Sequence, residues 1–180
     1  MTGKKLSFSA LFLAMGVLLP MAFHTFGMGG PGFLPMHLPV LLGGLLLGPF
    51  AGVLLGISTP FLSSLLTGMP PLFPMLPIMV TELAAYGYFS GLFSVRWHGN
   101  VYLALVGAMV VGRVFAGIAA WVMIHFFGFR APGAVAFVLA SVSTGFIGIL
   151  IQLLLLPPLT LYLRRFVGEG ESCPPEERRD

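Results

Sequence analysis

The stretch HLPVLLGGLLLGPFAGVLLGISTPFLSSLL, residues 37–66, is apolar, uncharged and interrupted once, by the pair Gly48-Pro49. As a single helix its 30 residues would extend about 45 Å, which is too long for one perpendicular membrane crossing and too short for two full ones. We therefore predict a short helix over residues 37–47, a tight turn, and a second helix over residues 50–66. Four glycines in the stretch mark expected close approaches of helix backbones, namely Gly44, Gly48, Gly52 and Gly56.

The rest of the chain has the same apolar character. Of its 180 residues, 57% are hydrophobic and only 8% are charged, and the mean hydropathy is +0.99. An ordinary water-soluble domain has about 25% charged residues. The composition therefore excludes a soluble globular protein and predicts a membrane protein with a few spans and one compact domain.

Four further apolar runs are long enough to cross a bilayer. They cover residues 6–23, 77–95, 101–127 and 134–163. With the two helices of the 37–66 stretch they predict an all-α membrane protein with six transmembrane helices. We reject a cleaved signal peptide for the first run, because such signals have a shorter apolar region of about 7–15 residues and a small-residue cleavage site.

Charge distribution predicts the orientation. One set of helix ends holds Lys4, Lys5, Arg96, Arg164 and Arg165, whereas the other holds only Arg130. The positive-inside rule then places both termini in the cytoplasm of a bacterial cell, and it places the Gly- and Pro-rich loops at residues 24–36 and 67–76 outside. Residues 1–166 are predicted to form the membrane domain, followed by a disordered acidic cytoplasmic tail at residues 167–180.

Several functional classes are excluded. The basic residues form no contiguous stripe, which argues against nucleic-acid binding. No phosphate-binding G-x-x-x-x-G-K-[ST] motif, metalloprotease motif or nucleophile elbow is present. The lone Cys173 can build no cysteine metal site. The sequence therefore predicts no enzymatic activity, no cofactor and no metal site.

Glu82 and Arg113 are the only charged residues inside long apolar stretches. Such a group costs about 2.5–3.5 kcal/mol at mid-membrane, so it normally faces a bundle interior or a cavity. Counted from the outer helix ends, Glu82 lies roughly 7 Å deep and Arg113 roughly 21 Å deep, too far apart for one hydrogen bond. We predict that Glu82 lines a ligand cavity open to the outside, with Arg113 forming its floor or pairing elsewhere. For both residues, a structural contact with helix carbonyls is the alternative.

Five further side chains are candidates for the same site: Tyr86, Trp121, His125, Ser141 and Thr144. Tyr86 follows Glu82 by one helical turn, and Trp121 and His125 are one turn apart near the outer end of their span. Together they would offer aromatic walls and an imidazole to a small polar heterocycle. The alternatives are an interfacial position for Trp121, a solvated helix end for His125, and hydroxyls bonded to their own helix carbonyls.

The first loop and two other polar residues have separate interpretations. Met28 and Phe33 lie on a charge-free loop that could close over a ligand, or that could form a permanent plug. His37 is interpreted as a cap or loop anchor rather than a ligand, and Gln152 as structural.

Three motifs carry a resemblance to a known family. They are SALFLA at residues 9–14, the run from residue 37 to residue 56, and ELAAYG at residues 82–87. The chain resembles the substrate-binding S components of energy-coupling factor (ECF-type) vitamin importers over about residues 5–166. The resemblance implies a six-helix protein that captures a water-soluble vitamin or precursor near the outer face, beneath the loops after helices one and three.

The resemblance also implies partners. In this family the small-residue face of helix one, here Ala10 and Ala14, contacts a membrane coupling (T) subunit that bears two ABC ATPases. The lone carboxylate favours a ligand with hydrogen-bond donors or positive charge, such as an aminopyrimidine or another nitrogen heterocycle, over a plain carboxylic acid. If Arg113 reaches the pocket, a zwitterionic or acidic vitamin is also admitted. The alternatives are a self-sufficient secondary transporter, for which no inverted repeat is found, and a small intramembrane enzyme or assembly factor.

Overall fold

The computed structural model describes residues 3–25, 34–97 and 100–168, and the regular structure within these ranges is helical. In chain order the helices are α1 (Gly3–Thr25), α2 (His37–Leu47), α3 (Pro49–Thr67), α4 (Met75–Arg96), α5 (Val101–Phe127), α6 (Ala134–Thr144) and α7 (Phe146–Gly168). Of these described helices, five are long and apolar enough to cross a membrane, and α2 and α6 are shorter. The predicted all-α membrane fold with a short second helix is confirmed.

The short helix α2 is the centre of the bundle. It packs against α1, α3, α4, α5 and α7, and residues 39–45 are buried. A helix that is apolar on every side belongs in the interior, because no face of it gains from contact with water. Phe12 of α1, Leu83 of α4 and Leu105 of α5 belong to the core around it.

Glycines bring the backbones of α2, α3 and α4 into direct contact. A Cβ atom at Gly52 would collide with the carbonyl of Gly87, and one at Gly44 would collide with the same group. Gly56 lies equally close to the backbone of α4 one turn away. The predicted close approaches at Gly44, Gly52 and Gly56 are therefore confirmed. Gly48 has φ +96° at the turn and no atom within 4 Å of its own Cβ position, but its backbone also lies close to α4, 2.7 Å from the Cβ position of Gly91.

The predicted sixth span is divided into α6 and α7 at Gly145. A Cβ at this position would lie 2.8 Å from Cδ1 of Leu34, so the loop before α2 packs directly onto the break. The uncharged run at residues 134–163 has 30 residues, the same length that required a division in residues 37–66. Within α6 no residue is fully buried, so this helix forms an outer wall of the bundle.

The antiparallel helices α4 and α5 do not end at the same level. Ile78, in the first turn of α4, packs against Ala116 and Ala120 of α5, and Tyr86 rests against Gly112. From Ala120, α5 continues for seven residues to its end at Phe127, which is about 10 Å. This overhang sets the relative height of the polar residues on the two helices.

Two of the predictions fall on residues outside the described ranges. Met28 and Phe33, the expected loop gate, lie in residues 26–33, and the expected tail lies almost wholly in residues 169–180. Helix α7 itself ends at Gly168, two residues beyond the predicted domain boundary.

Candidate functional site

A buried polar cluster joins four helices near the end of the bundle that carries the α3–α4 loop. Oε1 of Glu82 on α4 lies 2.9 Å from Nη1 of Arg113 on α5 and 3.7 Å from Nε2 of His37 on α2. The side chains of Glu82 and His37 are almost fully buried, and that of Arg113 is 12% exposed. Nη1 of Arg113 also donates a hydrogen bond to Oγ of Ser141 on α6, at 3.1 Å.

The expected depth difference between Glu82 and Arg113 is therefore wrong. That expectation placed the outer ends of both helices at one level, whereas α5 extends about 10 Å past Ala120, which packs beside the first turn of α4. The overhang accounts for most of the expected difference of about 14 Å, and the length of the arginine side chain covers the remainder. Arg113 pairs with Glu82 directly.

Several polar atoms of the cluster have no hydrogen-bond partner within the described part of the chain. They are Nε and Nη2 of Arg113, both ring nitrogens of His37, and Oε1 of Glu82. Nη1 of Arg113 and Oε1 of Glu82 thus form an ion pair without an aligned hydrogen bond. The aligned hydrogen bond of Nη1 is the one to Oγ of Ser141. Buried polar groups in proteins are normally paired, so these atoms are exceptions, and each of them is covered by other protein atoms rather than exposed to the cavity.

A cavity of about 780 Å³ lies beside the cluster. Its polar lining consists of Glu82, Arg113, His37, Ser63, Thr67, Ser141 and Thr144. Much of the remaining lining is methionine and proline, contributed by α1, the approach to α2, the α3–α4 loop and the start of α4. The volume is in the range of sites that hold small molecules, about 300–1,000 Å³.

The α3–α4 loop forms one rim of this cavity and is tied to the end of α3. The hydroxyl of Ser63 donates to the carbonyl of Met69, and that of Ser64 donates to the carbonyl of Pro70, both at 2.8 Å. Met69, Pro70 and the following proline line the cavity. These hydrogen bonds hold the rim in place without any charged group.

A model of the family described as "ECF transporter, substrate-specific component" matches residues 4–160. The chain belongs to this family. The match covers α1 to α6 and most of α7, and it confirms the resemblance found in the sequence. No curated protein and no solved structure gives a significant match. The protein is thus a substrate-specific component, or S component, and a multi-pass membrane protein.

Tyr86 packs against the polar cluster of this S component but lies outside the Glu82 cavity. Its ring contacts that of His37 edge-on, with centroids 5.3 Å apart, and it lies close enough to interact with Glu82. Tyr86 is buried and does not itself line the Glu82 cavity. Its position explains how His37 is oriented toward the carboxylate.

Trp121 and His125 are not brought to the Glu82 cavity. They lie on the exposed face of α5, with ring centroids 4.5 Å apart, and Nδ1 of His125 is 2.9 Å from the carbonyl oxygen of Trp121. The buried face of α5 carries small residues such as Ala116 and Ala120 instead. The two aromatic residues therefore belong to the overhanging, outward-facing part of α5.

Thr144 and Gln152, two further polar residues of the predicted last span, have different roles. Thr144 lines the cavity, but its hydroxyl donates to the carbonyl of Ala140 in its own helix, at 2.9 Å. Gln152 is buried, and its Nε2 donates to the carbonyl of Leu34 at 3.4 Å. Gln152 thus anchors the residue that packs on Gly145, in agreement with its structural interpretation.

A second cavity, of about 800 Å³, lies between α5 and the α6–α7 pair. Its lining is almost entirely apolar and includes Trp121, Tyr86 and Gln152. Arg113 borders both cavities, because α6 separates them and Arg113 reaches across to Ser141. The charged cluster belongs to the first cavity.

His37 is the site residue that sequence reasoning missed. It was interpreted as a cap or loop anchor, yet α2 begins without a side-chain cap, and the imidazole lies against Glu82 instead. The available signal was its position at the start of the most apolar helix, directly after a loop expected at the cavity mouth. An imidazole at that position is surrounded by apolar side chains rather than water, so it needs a polar neighbour.

Ala10 and Ala14 lie on the exposed side of α1. The opposite side of α1, which includes Phe12 and Gly16, packs against the bundle. The two alanines are therefore available to another helix in the membrane, where small side chains permit close approach.

Proposed function

We propose that this S component is the substrate-binding subunit of an ATP-driven ECF-type importer for a water-soluble vitamin or vitamin precursor, a small nitrogen heterocycle. The observation that carries the proposal is the pair of charged residues, Glu82 and Arg113, in the lining of a cavity of about 780 Å³ within an apolar bundle. Ionisable residues inside a membrane bundle are costly, and they commonly pair with one another and mark substrate or ion pathways.

The cavity residues have different proposed roles in binding. Glu82 accepts hydrogen bonds from ring or amino N–H groups of the ligand, and His37 lies next to it. Arg113 and Ser141 form the floor, where the guanidinium holds the carboxylate in place. Thr144 contributes to the wall, and Met28 and Phe33 are proposed to close the mouth.

The proposed orientation places the cavity outside the cell and both termini in the cytoplasm. The cavity lies at the end of the bundle that holds the α3–α4 loop, opposite to Arg96 and Arg164. The exposed alanines of α1 are proposed to contact a coupling (T) subunit, and two ABC ATPases supply the energy. The chain itself binds and releases its substrate without changing it.

The decisive experiment separates binding from transport. Purified protein is titrated with a panel of water-soluble vitamins and precursors in the absence of ATP, by thermal shift and calorimetry. A ligand present at 100 times its Kd stabilises the protein by about 2.7 kcal/mol. Vesicles that contain the chain alone should then accumulate no ligand, and accumulation should need coupling subunits and ATP. Accumulation by the chain alone would instead identify a secondary transporter.

A further inference from the structure

The charges around the Glu82 cavity balance. Glu82 provides one negative charge and Arg113 one positive charge, His37 adds a charge only when it is protonated, and the other described lining residues include neither Asp, Glu, Lys nor Arg. A ligand in this cavity therefore meets a site whose two charged residues cancel.

A charged ligand would have to disturb the pair. A cation would compete with Arg113 for the carboxylate, and an anion would compete with Glu82 for the guanidinium. In either case the displaced partner would remain buried and uncompensated, which is among the most costly changes in a protein interior. A ligand without net charge can bind while the pair stays intact.

The burial of the cluster raises this cost. Oε1 of Glu82 and Nε and Nη2 of Arg113 are covered by other protein atoms. The ring of the neighbouring His37 lies 3.7 Å from Oε1 and is only 4% exposed. A charged ligand would therefore have to open the cluster before it could pair with either charge.

The walls suit an aromatic, polarisable body. Five of the ten methionines line the cavity, namely Met21, Met36, Met69, Met75 and Met79. Methionine is adaptable and its thioether makes favourable contacts with aromatic rings. Phe137 is the one aromatic carbocycle among the described lining residues, so thioethers supply much of the ring-binding surface.

We infer that the cavity selects an aromatic heterocycle without net charge. This inference rests on the proposed function and adds the charge class of the substrate. It assigns Arg113 to selection against charged ligands as well as to the floor of the site.

Calorimetry with charge-matched probes tests the inference. The neutral probes are nicotinamide, riboflavin, pyridoxine and 4-amino-5-hydroxymethyl-2-methylpyrimidine, the anions are nicotinate, biotin and pantothenate, and the cations are thiamine and 3-(aminomethyl)pyridine. The tightest ligand should be neutral, and every charged probe should bind on the order of a hundredfold more weakly. A charged probe as the tightest ligand overturns the inference and leaves the proposed function intact. Binding of no probe contradicts both.

Two variants test the role of the balanced charges. Arg113→Gln leaves a net negative cavity, so the affinity for thiamine or 3-(aminomethyl)pyridine should rise at least tenfold relative to the best neutral probe. Glu82→Gln leaves a net positive cavity and should favour nicotinate over nicotinamide in the same way, which provides a second test if one variant does not fold. Ser90→Ala, a buried change on α4 outside the cavity, should shift neither ratio. An unchanged charge preference in a folded charge variant overturns the inference.

Discussion

Nη1 of Arg113 lies 2.9 Å from Oε1 of Glu82, although the two side chains come from different helices and their sequence positions imply different depths. The pair puts the two charged groups of the apolar stretches at one point, beside the cavity and against His37. The stability of the bundle and the chemistry of the cavity therefore depend on the same contact.

The first prediction concerns the stability of this pair. Arg113→Met leaves the buried carboxylate without its partner, and removal of one member of a buried ion pair costs about 3–5 kcal/mol. The double variant Glu82→Gln/Arg113→Met removes both charges and should be more stable than Arg113→Met alone. Free energies of unfolding in detergent provide the measurement. Equal losses in the two variants would show that the charges do not interact.

The second prediction concerns ligand affinity. Glu82→Gln removes the charge of the acceptor and should weaken binding of the best ligand at least tenfold, on the order of 1.4 kcal/mol. Ser90→Ala is the matched control on the same helix, because its hydroxyl bonds the carbonyls of Leu41 and Gly87 away from the cavity. Calorimetry should show unchanged affinity for the control. If Glu82→Gln also binds normally, Glu82 is not part of the site.

The third prediction concerns the glycine contact between α3 and α4. Gly52→Ala would place a methyl group against the backbone of Gly87, where no side-chain movement can relieve the clash. Overpacking of this kind costs about 1–3 kcal/mol. Thermal unfolding should reveal a clear loss of stability, whereas Gly3→Ala, with nothing within 4 Å, should behave as the parent protein. A fully stable Gly52→Ala would contradict the close backbone contact.

The fourth prediction concerns the rim of the cavity. The double variant Ser63→Ala/Ser64→Ala removes two hydrogen bonds to the α3–α4 loop, each worth about 1 kcal/mol. We expect ligand dissociation to accelerate about tenfold while association changes little, since the loop lines the cavity that is proposed to hold the ligand. Stopped-flow measurements distinguish the two rates. Ser7→Ala, an exposed serine bonded within α1, is the control, and equal dissociation rates in both variants would argue against a role for the loop.

The fifth prediction concerns the overhanging end of α5. Trp121→Ala and His125→Ala should leave ligand affinity within about twofold of the parent value, because neither side chain lines the Glu82 cavity and such surface changes have effects within about 0.5 kcal/mol. Calorimetry with the best ligand provides the test. A tenfold loss in either variant would place the binding site in the second cavity or at the helix end.

The fold was largely predictable, because it follows from the lengths of uncharged runs. Gly48-Pro49 divides residues 37–66 in the structure as in the sequence, and the small residues of that stretch do form backbone contacts. The same length argument also applied to residues 134–163, but the division at Gly145 packs against Leu34, a residue more than a hundred positions away. Such a long-range contact leaves no local pattern.

The site was only partly predictable, since it depends on the relative heights of helices. Glu82, Arg113, Ser141 and Thr144 were recognised as candidates by their polarity in apolar sequence, and the structure places all four around one cavity. Helix ends in the sequence do not reveal that α5 extends past the start of α4, and this overhang separates Trp121 and His125 from the cavity. His37 was missed because a histidine at a helix start is ordinarily explained as a helix cap or a loop anchor.

The glycine contacts among α2, α3 and α4 have a mechanical consequence. Where backbones touch directly, rotamer changes cannot loosen the packing, so these three helices are expected to move as one block. Shape changes that accompany loading or unloading must then occur where side chains mediate the contacts, above all at α6, which has no fully buried residue. Glu82 would then move with this block and Ser141 with α6. Arg113 contacts both side chains, so it lies where the two moving parts meet.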